Sequence, residues 1–461
     1  MKDLTRGSEA RLVFFFTLPL LFGNVFQQLY NTVDSIVVGK YVGKEALAAV
    51  GQAFPVLFLS VALVMGFGMS SNVLIAQAFG ARRYDRVKAA IDTSFIVTFA
   101  FSLVVAVLGY AFAPAILALM RTPGDVVSGA TLYLRIIFAG IPAMFGYNAI
   151  SAIQRGLGDS KTPLYALIVS TVLNIILDLL FVIAFGWGIA GVAVATIISQ
   201  GASFVWTFSY LVRRNPYIRA NPLKMRFDRE VFFSIMKMGL PSGIQQALIA
   251  AGFMTLTGIV NLFGTDPAAA FTAASKLESF AVMPAMNFSL AIASFTGQNL
   301  GAGRVDRVRR GLLAGVGMAF SLTFCVALTL YFFGGRLITL FSSDAEVLRI
   351  GAEYLKIVSL AYLMQTVMFS VSGVIRGAGR MTFTMVMALL SMWIIRIPLA
   401  FLLSSRFGTR GIWYAIDIGF LVGMTGSLVY YFAGTWKSAA SDPLAASVPA
   451  GASPSAESIS V

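Results

Sequence analysis

Twelve apolar runs alternate with short polar loops along this chain. A helix needs about 20 residues to cross the hydrocarbon core of a bilayer, and each run supplies that length or more. Helical spans are expected at 12–38, 46–78, 88–112, 128–150, 162–185, 188–211, 231–262, 267–300, 308–333, 346–373, 382–404 and 409–433. The first run follows Lys2, Arg6 and Arg11, as the core of a signal peptide would. It is too long for that, carries Gln27 and Gln28, and lacks a small-residue cleavage site, so it reads as a retained span. The expected fold class is an all-α membrane protein of twelve transmembrane helices.

The pattern repeats. At an offset of 221 residues, Gln77, Gly80, Ala81, Asp85, Arg86 and Val87 fall on Gln298, Gly301, Ala302, Asp306, Arg307 and Val308. Tyr133 and Leu134 fall on Tyr354 and Leu355. Arg155, Gly156 and Gly158 fall on Arg376, Gly377 and Gly379, and Gly43 falls on Gly264. Six spans per half is an even number, so both halves insert the same way round. They should be related by a pseudo-two-fold axis along the membrane normal. The expected organisation is an N-terminal segment 1–11, an amino-terminal lobe 12–211, a polar linker 212–230, a carboxy-terminal lobe 231–433 and a disordered tail 434–461, rich in Ser, Ala and Pro from residue 438.

Composition agrees with a membrane location. The 461 residues are 58% hydrophobic and only 12% charged, about half the charged share of a soluble domain. A net charge of +14 would also suit nucleic acid. The basic residues, however, sit in alternate short loops: Arg82, Arg83, Arg86 and Lys88; Arg155 and Lys161; Arg213, Arg214, Arg219, Lys224, Arg226 and Arg229; Arg304, Arg307, Arg309 and Arg310; Arg376 and Arg380. That asymmetry follows the positive-inside rule. Both termini are expected in the cytoplasm, the protein in the plasma (inner) membrane, and no nucleic-acid partner. The single cysteine, Cys325, offers no disulfide or metal cluster, and histidine is absent. No nucleotide-binding glycine loop is present, so neither ATP, another cofactor nor enzyme chemistry is expected.

The chemistry lies in charges placed where lipid should be. Asp34 sits in the first span, and an intramembrane carboxylate is costly and by default functional. Tyr30 is one turn earlier on the same face, and Pro19 lies roughly 22 Å down the helix, where it can bend the segment carrying the acid. Asp178 is a second acid, in the fifth span. The repeat places Asp34 opposite Thr255 and Asp178 opposite Leu399, so these acids belong to one half only. One half therefore handles a cation and the other is free for something else.

Five stretches carry a family resemblance: Asn31-Thr32-Val33-Asp34; Gln77 with Gly80-Ala81; its echo Gln298-Asn299-Leu300-Gly301-Ala302-Gly303; Gln154-Arg155-Gly156-Leu157-Gly158-Asp159; and Gly239-Leu240-Pro241. With the duplicated six-span halves, the chain resembles the multidrug and toxic compound extrusion (MATE) transporters over about residues 8–435. The resemblance implies cation-driven export of organic, often cationic, amphipathic compounds through a V-shaped pair of six-helix lobes. Within that family it is similar to the DinF-type branch, whose acids lie in the amino-terminal lobe. By that likeness the coupling site is Asp34, Tyr30, Asn174, Asp178 and Thr196, with Pro19 as the bending proline. The other large branch uses an acid in the seventh span, where Gly243-Ile244-Gln245-Gln246 offers none.

Counting residues from the loops puts Asp34, Asp178, Thr196 and Tyr133 in the outer half of the membrane, so they can meet. Asn174 and Asp178 share a helix face. A carboxylate out of water can take a proton. Alternatively Asp34, Asp178, Asn174 and Thr196 together offer the oxygen ligands a hard cation such as Na⁺ wants. H⁺ and Na⁺ both stay open as coupling ion. The substrate cavity is expected to draw on Gln27, Tyr133, Phe54, Met65, Met283, Met286 and Glu278, with methionine giving adaptable apolar contact. Lys276, Glu278, Arg396 and Asp417 alternatively pair to lock the second lobe. The expected partners are small organic molecules and the lipid bilayer, for a monomer. The rival reading is a flippase for lipid-linked precursors, which would want cavity arginines for a pyrophosphate.

Overall fold

The computed structural model of the protein describes residues 2–214 and 225–437. Arg219 and Lys224 of the expected linker, and the expected tail from residue 438, lie outside the described residues. Among the described residues, twelve helices are long and apolar enough to cross a membrane: α1 Glu9–Val42, α2 Lys44–Gly80, α3 Tyr84–Leu119, α4 Gly124–Gly156, α5 Lys161–Ala184, α6 Gly188–Arg213, α7 Arg229–Asn261, α8 Thr265–Gly301, α9 Val305–Ile338, α10 Ala345–Gly377, α11 Met381–Phe407 and α12 Thr409–Ala433.

Each expected span coincides with one helix, but most helices run further. Helix α3 begins at Tyr84 and α9 at Val305, several residues before their apolar runs. Their first turns hold Asp85 and Asp306, acids that suit the positive end of a helix dipole. Apolarity therefore marks the membrane, and the helix continues into the polar interface. One boundary differs for another reason. Residues 434–437, expected to open the disordered tail, fold back on α12. Trp436 is buried, its indole donates to the Tyr431 carbonyl at 2.9 Å, and its ring stacks on Tyr431.

The duplication is visible in packing. Helix α4 packs on α2, α3 and α6, and its equivalent α10 packs on α8, α9 and α12. The turns repeat as well. Gly158 and Gly379, which follow α4 and α10, have φ of +79° and +77°, a left-handed conformation that glycine adopts without strain.

The lobes meet through α2 against α7 and α8, and through α1 against α8 and α9. The approach is backbone to backbone. A Cβ on Gly66 would strike the Gly239 and Gly243 backbones; one on Gly80 would strike the Gln298 carbonyl, and one on Gly301 the Gln77 carbonyl. On the face that carries the N-terminus, Gln77 donates to the Gly377 carbonyl and Gln298 to the Gly156 carbonyl. The segment before α1 straps across the same seam. Its Leu4 amide donates to Gln298 Oε1, and its Leu4, Thr5 and Gly7 carbonyls accept from Asn299, Arg304 and Arg307. Arg307 and Arg310 also pair with Glu9.

Among the described residues, three π-helical turns interrupt the helices. One ends α1 at Val38–Val42, one ends α5 at Leu180–Ala184, and one lies inside α11 at Leu389–Arg396. Helix α1 itself passes Pro19 unbroken. The proline has no N–H to donate, so it leaves a weak point in the helix rather than a break.

Candidate functional site

Four helices of the amino-terminal lobe converge on one polar cluster. Helix α1 supplies Tyr30 and Asp34, one turn apart. Helix α5 supplies Asn174 and Asp178, also one turn apart. Helix α6 supplies Thr196 and α4 supplies Tyr133. The Tyr30 hydroxyl donates to Thr196 Oγ1 at 3.1 Å, which ties α1 to α6. The Asp34 and Asp178 carboxyl groups lie within hydrogen-bonding reach of each other. Tyr133 sits close to both acids and to Tyr30.

The cluster is buried, and several of its polar atoms are unpaired. Asp34 is 8% exposed, and Asp178 and Asn174 are fully buried. Asp34 Oδ1, both Asp178 oxygens and both atoms of the Asn174 amide find no hydrogen-bond partner. Each orphaned polar atom of this kind costs roughly 1–3 kcal/mol. Two adjacent carboxylates in low dielectric cannot both keep their charge without a counter-ion. A proton shared between them, or a cation held among their oxygens, resolves the strain. Among the described residues no group of three or more His, Cys, Asp and Glu side chains gathers.

Both acids stand immediately before an irregular turn. Asp34 precedes Val38–Val42 by one helical turn, and Asp178 precedes Leu180–Ala184 by two residues. Such π-turns recur at functional sites, because the unmade i→i−4 bonds let the backbone change register cheaply. Nothing in the apolar pattern of either segment signals them.

The residues expected on a substrate wall differ in exposure. Phe54, Met65 and Met286 are exposed at the helix surface, and Met283 and Gln27 are partly exposed. Gln27 makes only a loose 3.5 Å contact with Asn31 Oδ1. Tyr133 is instead buried inside the acid cluster, because it lies on the inward face of α4. Glu278 is engaged too: Tyr354, the repeat equivalent of Tyr133, donates to its Oε2 at 2.6 Å.

Glu278 belongs to a second polar cluster, in the carboxy-terminal lobe. Arg396 lies 4.1 Å from the centre of the Phe420 ring and faces Glu278 and Asp417. Asp417 occupies the position that Thr196 holds in the first lobe. The duplicated scaffold thus carries two different chemistries at equivalent depth. Among the described residues, one lobe has two acids without a facing cation, and the other has two acids facing an arginine. Lys276 is exposed and lies over Phe341, so it stands apart from this cluster.

A family model described as MatE matches residues 19–180 and 241–402, one stretch in each lobe. The chain is 33% identical over 443 residues to the "Probable multidrug resistance protein YoeA" of Bacillus subtilis, covering 94% of this chain and 95% of that protein. It is 31% identical over 435 residues to the "Probable multidrug resistance protein YpnP" of the same organism, covering 94% and 97%. Among solved structures it superposes, with TM-score 0.87, 25% identity and 96% and 99% coverage, on one described as the "Outward-facing conformation of a multidrug resistance MATE family transporter of the MOP superfamily".

Proposed function

Because this chain belongs to the MatE family of membrane transporters, we propose that it exports organic, amphipathic and often cationic compounds by antiport against H⁺ or Na⁺ entering at Asp34 and Asp178. One observation carries the reading: two adjacent buried acids with unpaired oxygens and, among the described residues, no basic partner. Its relatives' names, which speak of multidrug resistance, support the substrate class.

The loops rich in arginine and lysine lie on the face where the two glutamines and the N-terminal strap close the seam. By the positive-inside rule this face is cytoplasmic. Closure there leaves the acids reachable from the outside. A proton or Na⁺ arriving from that side neutralises the pair and removes the cost of holding charge in low dielectric. The π-turns after Asp34 and Asp178 then rewind, and α1 bends at Pro19. Movement of α1 narrows the space beside Gln27 and Asn31, and the substrate leaves. Opening of the Gln77 and Gln298 contacts lets the cation out to the cytoplasm and the next substrate in.

Flipping of lipid-linked precursors fits less well. A pyrophosphate needs free guanidinium groups, whereas Arg396 is already faced by two acids. The test is substrate-driven cation flux in proteoliposomes, run with and without sodium. Flux that persists in sodium-free buffer selects the proton. An Asp34→Asn protein that transports at the native rate would overturn the assignment of the site.

A further inference from the structure

A concave cleft of about 470 Å³ opens between the N-terminal strap, the first turns of α1 and the α4–α5 loop. Lys2, Arg11 and Lys161 surround it, Phe15 and Phe16 form an aromatic wall, and Ser160 and Asp159 close the floor. The three cations come from three separate segments and form no ion pair among the described residues; Arg11 only stacks on Phe15, 5.7 Å from its ring centre. Asp159 adds one negative charge to the lining and its oxygens cap the Lys161 and Thr162 amides and the Thr162 hydroxyl, so the cleft keeps an excess of positive charge.

Lys2 is near the chain start, yet its backbone is fixed. Its carbonyl presses on Gly158, where a Cβ would collide with it, and the next turns of the strap are bonded to α8 and α9. Basic residues usually spread over a solvated face. Here they converge on a pocket whose other wall is aromatic, at the membrane boundary, beside the exposed ring of Phe15. Convergent cations over an apolar wall fit a ligand with an anionic head and an acyl body.

We propose that this cleft binds the phosphate of an anionic phospholipid from the cytoplasmic leaflet, with Arg11 and Lys161 gripping the headgroup and the acyl chains lying along Phe15. The leaflet depends on the orientation inferred above; the binding itself does not depend on transport. A bound headgroup bridges the strap to α5 and so holds the seam closed at Gln298, which the strap's Leu4 amide contacts.

Native mass spectrometry of the detergent-purified protein tests this, using phosphatidylglycerol, phosphatidylcholine and inorganic phosphate as separate probes. The expected result is retention of phosphatidylglycerol over phosphatidylcholine, unaffected by inorganic phosphate. Arg11→Gln and Lys161→Gln should each weaken retention by about fivefold, and together by considerably more. Melting in phosphatidylcholine should match the native protein, and should the double variant fail to fold, the single variants decide. Equal retention by the variants, equal retention of phosphatidylcholine, or displacement by free phosphate would each overturn the proposal.

Discussion

Gln77 and Gln298 make the same hydrogen bond in opposite directions. Each side-chain amide crosses the seam to a glycine carbonyl at the end of a helix in the other lobe: Gln77 to Gly377 and Gln298 to Gly156, both at 2.9 Å. The two donors and the two acceptors are each 221 residues apart. A pseudo-two-fold axis therefore passes through this contact. The symmetry is broken at one atom, since Gln298 Oε1 also accepts the Leu4 amide of the strap. Removing each glutamine should then have unequal effects. Gln298→Ala orphans the buried Leu4 amide and the Gly156 carbonyl, at roughly 1–3 kcal/mol each, whereas Gln77→Ala orphans one carbonyl. Thermal unfolding in detergent should rank Gln298→Ala well below Gln77→Ala. Equal melting temperatures would show that the strap contributes nothing to closure.

The glycines beside these glutamines set how near the lobes come. A methyl group at Gly80 or Gly301 meets the partner helix's backbone, which has no flexible side chain to give way. Gly80→Ala and Gly301→Ala should hold the seam apart and cut transport at least tenfold, although alanine favours each helix by about 1 kcal/mol. Gly317→Ala is the control, because nothing lies within 4 Å of the added carbon. Transport by that variant should be unchanged. Cysteine accessibility along α2 and α8 would confirm that the loss comes from an open seam.

Arg396 should behave as the keystone of the second lobe. It is 8% exposed, its Nε has no hydrogen-bond partner, and it lies over the Phe420 ring facing Glu278 and Asp417. Arg396→Met removes the cation that faces two acids and should destabilise the protein by about 3–5 kcal/mol. Adding Asp417→Asn should restore part of that loss, since it removes a charge left without a partner. Glu278→Gln should be milder, because its amide oxygen still accepts from Tyr354. If Asp417→Asn fails to rescue Arg396→Met, the two groups are not coupled.

The positions of these elements differ in how far sequence reveals them. The spans are legible because lipid demands twenty apolar residues and little else does. Asp34 and Asp178 stand out because a carboxylate in such a run has no solvent to justify it. Residue counting gives depth, and depth suffices to bring Asp34, Asp178 and Tyr133 to one level. It does not give the direction a side chain faces around the helix. Depth alone leaves Tyr133 equally suited to the acids or to a substrate cavity; in the structure it is buried near the acids. The offset of 221 residues paired Gln77 with Gln298 and Gly156 with Gly377, yet equivalence is not contact. That each glutamine bonds the other lobe's glycine follows only from how the lobes meet. The π-turns are the least legible feature, since a register shift of backbone bonds leaves no mark on apolar periodicity.

Asp178 carries the sharpest conflict between stability and transport. It is fully buried, both its oxygens are unpaired, and its repeat equivalent is Leu399. The second lobe thus fills the same place with an apolar side chain and folds. Replacing a buried, unpartnered acid by a neutral group of like size relieves its desolvation and its repulsion from Asp34. Asp178→Asn should therefore raise the apparent melting temperature while cation-coupled transport falls at least tenfold. Asp34→Asn should act the same way but less strongly on stability, because Asp34 keeps some access to solvent. The double variant should add little to either effect, as expected for two groups that share one cation or one proton. Melting curves and proteoliposome flux on the three variants decide the matter. A variant that loses stability and transport together would show that Asp178 holds the lobe together rather than powering it.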